Sequence, residues 1–158
     1  MKKKIVVTGM GVLCPIGNST AEFREALVAG KSGIARITQF DPAGFDSQIA
    51  GEVKNFNPSD WMDKRDARKM CRFTQLAVAA ARQALDQAGL LAAVETEEGD
   101  SAPGIKLRIR SVSEMTGVVL GNGIGGFEVV SESFRKLFES GPKRMLPLTV
   151  PMMIGNEA

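Results

Sequence analysis

The sequence predicts an α/β fold, and this prediction rests on one pattern that occurs twice. A short apolar run at residues 5–8 ends at Gly9, and a second run at residues 116–120 ends at Gly121. Runs of this kind, rich in Val and Ile, are typical of strands that are buried on both faces. A glycine-containing loop and then a helical pattern follow each run, which indicates a layered α/β domain. Only two buried strands are recognisable, so we expect the sheet to be incomplete.

The first helix has signals at both ends. Ser19 and Glu22 form a capping box, in which the Ser19 side chain accepts from the Glu22 amide while the Glu22 carboxylate reaches back. Gly30 is suited to the position that directly follows a helix C-terminus. Together they predict a helix over residues 20–29.

A long excursion leads to the strongest helical pattern in the chain. Residues 31–57 are punctuated by Gly, Pro and Asp, and they predict a packed loop with one short strand near residues 49–53. Apolar side chains then recur at helical spacing through residues 66–88, which predicts the main helix. Gly89 ends that pattern.

The second half alternates between loops and regular elements. Residues 92–104 are acidic and contain Pro and Gly, which predicts a mobile loop. Apolar and basic residues alternate over residues 105–110, as in a half-exposed strand. Residues 127–139 carry an apolar stripe at helical spacing, which predicts an amphipathic helix. Residues 147–154 are apolar but interrupted by two prolines, and we assign them no regular element.

Composition argues against several classes of function. The 158 residues carry a net charge of +2, whereas a dedicated nucleic-acid or membrane-surface protein would show one dominant basic face. The chain contains no His, and so it has no imidazole base or histidine metal ligand. No apolar run approaches the length of a membrane span, and Gly9, Gly11 and Pro15 interrupt an otherwise signal-like start. We therefore expect a cytoplasmic protein with no membrane insertion.

The two cysteines, Cys14 and Cys71, form no Cys-x-x-Cys pair. A zinc site and a disulfide framework are therefore not expected, and a reducing compartment is. A thiol becomes a nucleophile only beside a base or in a positive environment. Although Cys71 follows basic residues, a small buried side chain is the favoured interpretation for both. The sequence thus predicts no catalytic residue, metal site or cofactor within these residues.

Gly121, Gly123 and Gly126 match the G-x-G-x-x-G pattern between a predicted strand and a predicted helix. A dinucleotide site also needs an acidic residue about twenty positions further on. Residues 141–146 stand there, and they are basic. The favoured interpretation is a tight turn in which the backbone needs room.

A basic cluster lies at the start of the main predicted helix. Its members are Lys64, Arg65, Arg68, Lys69 and Arg72. The spacing of residues 65, 68, 69 and 72 predicts that they share one helix face. Lys143 and Arg144 form a second basic spot. The two spots favour either an ordinary solvated face or a surface that docks an anionic partner.

A set of short motifs runs in order along almost the whole chain. They are Val6-Val7-Thr8-Gly9-Met10-Gly11, Pro15-Ile16-Gly17, Gly30-Lys31-Ser32-Gly33-Ile34, Phe40-Asp41, Arg68-Lys69-Met70 with Phe73, Gly121-Asn122-Gly123-Ile124-Gly125-Gly126, and Val150-Pro151. Each motif is modest alone, and the ordered set is specific. It resembles the N-terminal part of the β-ketoacyl-ACP synthase family, in particular the synthase II type. A segment at about residues 92–114 is longer than is usual in that family.

The resemblance implies a thiolase-like α/β fold, layered α-β-α-β-α, and usually a homodimer. Residues 1–158 would form a partial N-terminal domain, the first part of the N-terminal half. Family members carry out decarboxylative Claisen condensation, in which a Cys takes the acyl group and two His assist the decarboxylation of malonyl-ACP. The nucleophile and the His residues are expected beyond residue 158, so we expect this chain alone to be inactive and poorly stable.

The resemblance also implies two sites, each carried over by position. Residues that would dock acyl- and malonyl-loaded acyl carrier protein are Arg65, Arg68, Lys69, Lys143 and Arg144. Residues that would shape the acyl pocket are Gly123, Ile124 and Val150. Three alternatives stay open: a non-catalytic partner of the chain-length-factor type, a polyketide ketosynthase domain, and a nucleotide-binding α/β protein.

Overall fold

The computed structural model describes three stretches of the chain, residues 4–94, 106–109 and 117–155. The chain divides into two compact units. The first unit comprises Met1–Asn57 and Ala80–Gly89, and the second comprises Pro58–Ala79 and Leu90–Ala158.

Helix α1, at Thr20–Val28, forms as its end signals predict. The Ser19 side chain accepts from the Glu22 amide at 3.2 Å. The Glu22 carboxylate reaches one residue further back than predicted and accepts from the Asn18 amide at 2.7 Å. Gly30 has φ +63°, and the Lys31 amide donates to the Ala26 carbonyl, which completes a Schellman motif at the C-terminus.

The excursion after α1 contains a two-stranded antiparallel hairpin. Strand β1, at Ile34–Arg36, pairs with strand β2, at Ile49–Gly51, in the register Ala35 with Ala50. The sequence predicts the second strand and misses the first, because three residues are too few to show an alternating pattern. Between the strands, the rings of Phe40 and Phe45 meet edge to face with centroids 5.8 Å apart.

The predicted buried strands at residues 5–8 and 116–120 are wrong over their described residues. The backbone there forms no strand, and the side chains of Val7 and Val119 are 82% and 101% exposed. A strand must pair its amides and carbonyls with a neighbouring strand. Among the described residues no neighbouring strand pairs with either run, so their apolar composition does not produce a sheet.

Residues 9–12 lie along the second half of the main helix. Gln87 Oε1 accepts from the Met10 amide at 2.7 Å. Gln83 Oε1 accepts from the Val12 amide at 3.0 Å. The two glycines of this segment pack on the helix backbone, where an added Cβ would clash with carbonyl oxygens. The amides of this segment therefore bond to helix side chains, and not to the carbonyls of a neighbouring strand.

The predicted helix over residues 66–88 is two helices. Helix α2 covers Lys64–Ala67, and helix α3 covers Arg72–Gln87. The Arg72 amide donates to the Glu128 side chain at 2.9 Å, so α3 has its own N-terminal partner. The prediction is right for α3 and wrong in continuing the helix back through the turn.

The second unit contains a hairpin and two further helices. Strand β3, at Leu91–Val94, pairs antiparallel with strand β4, at Lys106–Ile109. The sequence predicts β4 and places β3 in a loop; the remaining loop prediction, for residues 95–104, lies outside the described residues. Helix α4, at Phe127–Ser140, confirms the amphipathic helix and ends at Gly141. Helix α5, at Thr149–Met153, forms where no element is predicted.

The buried interior of the described residues consists of small side chains. Ala26, Ala67, Cys71 and Ala79 are its apolar members. The stripe predicted on α4 is not fully covered, since Phe134 and Phe138 stack on each other and are 54% and 80% exposed. Much of the apolar surface of these two units therefore faces solvent.

Candidate functional site

The five predicted docking cations lie in two places of the second unit. Arg65 is on α2, Arg68 is its C-terminal cap, and Lys69 follows in the turn before α3. Lys143 and Arg144 lie on a 3₁₀ turn, Pro142–Arg144, directly after α4. All five are exposed. We call the first three the α2 cations.

The prediction that residues 65, 68, 69 and 72 share one helix face is wrong. Arg65 belongs to α2, whereas Arg72 begins α3. The i, i+3, i+4 rule holds only along one continuous helix. The α2 cations are therefore brought together by a short helix and a turn.

Most of these cations are not neutralised by the chain itself. Lys69 approaches Asp66 at 3.8 Å, which is a loose surface ion pair. Within the described part of the chain, the other four form no ion pair. Their charge stays available to an anionic partner.

The cations of α4 provide a contrast. Arg135 donates to Glu132 at 2.7 Å and to Glu139 at 3.2 Å. Lys136 lies 3.4 Å from the same Glu132 carboxylate. The hydrogen bond from Arg135 lowers the pKa of Glu132 below its usual range. Charge on α4 is thus compensated within one helix, whereas of the α2 cations only Lys69 has a carboxylate within reach.

Side chains fix both ends of the segment that carries the α2 cations. Asp63 Oδ1 accepts from the Arg65 amide at 2.6 Å, which caps the start of α2. Gln75 Nε2, on α3, donates to the Ala67 carbonyl at 2.8 Å and to the Met70 carbonyl at 3.1 Å. These bonds occupy carbonyls that a continuous helix would use, which accounts for the break between α2 and α3.

An open cleft of about 480 Å³ adjoins the α2 cations. Its lining combines two cations, apolar side chains and two polar groups. The lining residues are Pro58, Ser59, Lys64, Ala67, Arg68, Met70 and Gln75. The lining of the cleft is thus partly apolar and partly cationic.

The predicted pocket residues lie at a second junction of the same unit. Gly123 and Ile124 are in the loop before α4, and Val150 is on α5. All three are exposed, and Ile124 and Val150 are 79% and 64% accessible. None of the three lines the cleft beside the α2 cations.

Backbone contacts join this loop to the end of α5. Asn122 Oδ1 accepts from the Gly125 amide at 3.0 Å, and its Nδ2 donates to the Gly155 carbonyl at 3.1 Å. The Gly126 amide donates to the Met153 carbonyl at 3.1 Å. The structure therefore brings the loop of Ile124 and the helix of Val150 to one junction.

The glycine pattern acts here as a close-packing turn. Of its three members, Gly126 is the one whose added Cβ would clash, with the Met152 carbonyl. Gly121 and Gly123 have open space around them. Gly125 has φ +83°, a conformation that favours glycine. The amides of Gly125 and Gly126 already donate within the chain, so they are not presented to a phosphate.

Cys71 is 3% exposed, and its Sγ lies 3.3 Å from Thr74 Oγ1. Cys14 is half-buried and its backbone pairs with Gly17. No group of three or more Cys, Asp or Glu among the described residues is placed to hold a metal ion. None of the helices described is long and apolar enough to cross a membrane.

Sequence reasoning misses the polar residues that position these elements. Gln75, Asn122 and Glu128 each bond to backbone of a different segment. Gln75 sits inside an apolar helical pattern, which is a usable signal for a buried polar partner. The sequence around Asn122 and Glu128 carries no signal of their roles. Asn122 bonds across a turn and to Gly155, and Glu128 bonds to Arg72, which is 56 positions away.

A scan against protein families matches residues 2–156 to the family described as "Beta-ketoacyl synthase, N-terminal domain". The chain is 42% identical over 155 residues to the 3-oxoacyl-(acyl-carrier-protein) synthase 2 of Vibrio cholerae serotype O1. It is 39% identical over 156 residues to the protein of that name from Staphylococcus aureus strain COL. The alignments cover 98% and 99% of this chain, and the chain spans 34% of the length of each relative.

Solved structures agree on the fold. The ishigamide ketosynthase/chain length factor superposes with a TM-score of 0.70 at 30% identity, covering 94% of this chain and 33% of that one. A type II PKS ketosynthase solved with its acyl-carrier protein superposes with a TM-score of 0.66 at 20% identity, covering 99% and 38%. The predicted thiolase-like fold is confirmed by these likenesses.

Proposed function

Because this chain belongs to the β-ketoacyl synthase family, we propose that it is the N-terminal part of a condensing enzyme of the 3-oxoacyl-ACP synthase II type. Relatives that bear this name are 39% to 42% identical over nearly the whole chain. The chain spans about a third of their length. The whole enzyme carries out the reaction, and these 158 residues contribute part of it.

The proposed reaction extends an acyl chain in fatty-acid synthesis. An enzyme thiolate attacks the acyl thioester and releases the carrier-protein thiol. Malonyl-ACP then loses CO₂, and the resulting enolate carbon attacks the enzyme-bound acyl carbonyl. A carbon–carbon bond forms, the enzyme thiol leaves, and the product is a 3-oxoacyl thioester. In the family, His residues stabilise the charge that develops, and this chain contains no His.

The share of these residues is to receive the carrier protein and to contribute to the acyl pocket. Docking rests on one observation: Arg65, Arg68, Lys143 and Arg144 are exposed cations that form no ion pair within the described residues. Such cations steer an acidic partner and set its orientation. We assign no condensation activity to these 158 residues alone and no cofactor.

The pocket assignment is supported by position. Ile124 and Val150 belong to the loop and the helix that meet through Gly126 and Met153. Their apolar side chains are exposed within the second unit and suit a wall against an acyl chain. A homodimer and a cytoplasmic location complete the proposal, the latter supported by two free cysteines.

A chain-length-factor-like partner or a polyketide ketosynthase domain is the second candidate. The structural likeness to the ishigamide ketosynthase/chain length factor, at 30% identity, favours it. Assays of the whole protein with malonyl-ACP and a fatty acyl-ACP separate a condensing enzyme from a non-catalytic partner. Condensation excludes the partner, repeated condensation to a polyketide favours the polyketide ketosynthase over the synthase, and absence of condensation without a second ketosynthase chain supports the partner.

Docking is tested by binding of labelled acyl carrier protein to the protein that contains this chain. We expect Arg68→Ala to weaken binding about fivefold at low salt and to flatten its salt dependence, because an exposed cation that faces an acidic partner contributes mainly through screened attraction. Arg135→Ala is the matched control, since that guanidinium is already compensated by Glu132 and Glu139. Equal effects of the two variants would refute docking at the α2 cations.

A further inference from the structure

We propose that Gln75 is a positioning residue for carrier-protein docking, one that orients the α2 cations without contacting the partner. This inference rests on the proposed docking function and deepens it. It concerns the same second unit, in which Gln75, the turn and the α2 cations all lie.

The backbone of the segment that carries the α2 cations gives it little stability of its own. Helix α2 has four residues, about one turn, and an isolated turn of helix is unstable in water. Arg68 and Lys69 follow it outside regular structure. Backbone bonds from the Lys69 and Met70 amides close only this turn, so groups outside the segment add to its order.

Gln75 supplies that constraint from the adjacent helix. Its Nε2 donates two hydrogen bonds to the backbone, one to the Ala67 carbonyl and one to the Met70 carbonyl. These two carbonyls bracket Arg68 and Lys69. The side chain is half-buried and lies on a sixteen-residue helix, which gives it a rigid base. Asp63 fixes the other end of α2.

Order in this segment matters for binding because flexible cations lose conformational entropy when they engage a partner. In a turn that is already fixed, the cations have lost most of this entropy on folding, so less is lost on docking. Removing the two Gln75 hydrogen bonds leaves every charge in place but frees the turn. Affinity should fall while the number of charges, and hence the salt dependence, stays the same.

Gln75→Met tests this, because Met keeps the length of the side chain and has no donor. We expect about a fivefold loss of carrier-protein affinity at low salt, with a salt dependence parallel to wild type. Hydrogen exchange should also accelerate at the Lys69 and Met70 amides, which bond to the Asp66 and Ala67 carbonyls. Gln83→Met is the matched control, since Gln83 bonds to backbone from the same helix but in the first unit.

The outcomes are distinguishable. If Arg68→Ala weakens docking and Gln75→Met does not, the positioning role is overturned while docking stands. If Arg68→Ala has no effect, docking itself fails and this inference falls with it. If Gln83→Met weakens docking as much as Gln75→Met, the loss is general destabilisation and the inference is overturned. A loss confined to Gln75→Met, with parallel salt dependence, supports it.

Discussion

Glu52 anchors the start of the loop between β1 and β2 through its carboxylate. Thr38 donates from Oγ1 at 2.7 Å and from its amide at 3.0 Å. The Gln39 amide donates at 3.1 Å. These bonds, that of the Thr38 side chain first, lower the pKa of Glu52 below 4.5. The charged form is therefore favoured in the folded chain.

A lowered carboxylate pKa makes part of the stability depend on pH. The contribution is complete above the unfolded value of about 4.5 and is lost as the pH falls through the lower folded value. Urea unfolding of the protein that contains this chain, at pH 7 and pH 3, should show that the Glu52→Gln variant loses less stability on acidification than wild type. Glu25→Gln, at an exposed position of α1, is the control and should follow wild type. A Glu52→Gln variant as acid-sensitive as wild type would contradict this account.

At the scale of elements, the break before α3 is held by Glu128. Its carboxylate accepts from the Arg72 amide across 56 positions of sequence. It thereby satisfies one of the free amides at the start of a helix, an interaction typically worth about 1 kcal/mol. The first turns of α3 and α4 are tied together through this one side chain.

Glu128→Ala should lower the unfolding free energy by about 1 kcal/mol, because α3 loses an N-terminal partner. Urea unfolding of the protein that contains this chain measures the change. Glu139→Ala is the control on the same helix. This substitution removes a surface ion pair, which costs little stability. It also removes a negative charge near a helix C-terminus, where such a charge is unfavourable. The two effects oppose each other, so the unfolding free energy should change little. A larger loss from Glu139→Ala would show that the cap is not the source.

Elements with local signals are those that the sequence predicts correctly. Helix α1 is specified by Ser19, Glu22 and Gly30 within its own ends, and α4 by an apolar stripe that ends at Gly141. Elements set by distant partners are missed or misjudged. Strand β1 exists because it pairs with β2, and the α2–α3 break depends on side chains such as Gln75. Periodicity cannot contain that information.

The candidate site shows the same division. Composition indicates that basic residues cluster near Arg65 and near Lys143, but helical spacing misplaces the first cluster on one face. The docking and pocket roles come from the ordered motifs and remain proposals. Which cations stay unpaired could not be predicted, because it depends on where Asp and Glu side chains fall in three dimensions.

At the scale of the whole molecule, two apolar segments among the described residues are exposed to solvent. Ile5, Val7, Val118 and Val119 are between 82% and 101% exposed. Isolated apolar residues are common on protein surfaces, but consecutive exposed ones outside regular structure resemble unpaired strand edges. Such segments add strands to each other or to other chains. We therefore expect these 158 residues, when produced alone, to associate.

Sedimentation velocity over a range of concentrations tests that expectation. The isolated chain should form concentration-dependent oligomers and bind a hydrophobic dye, because its exposed apolar segments are open to pairing. A Val7→Lys and Val119→Lys double variant should reduce both signals, since lysine blocks strand addition. An Ala21→Lys and Ser47→Lys double variant, at two exposed positions of the first unit, adds the same charge without touching either segment and serves as the control. A monodisperse monomer with a cooperative thermal transition would contradict the prediction. It would mean that the segments at residues 5–7 and 118–119 are covered within the chain in solution.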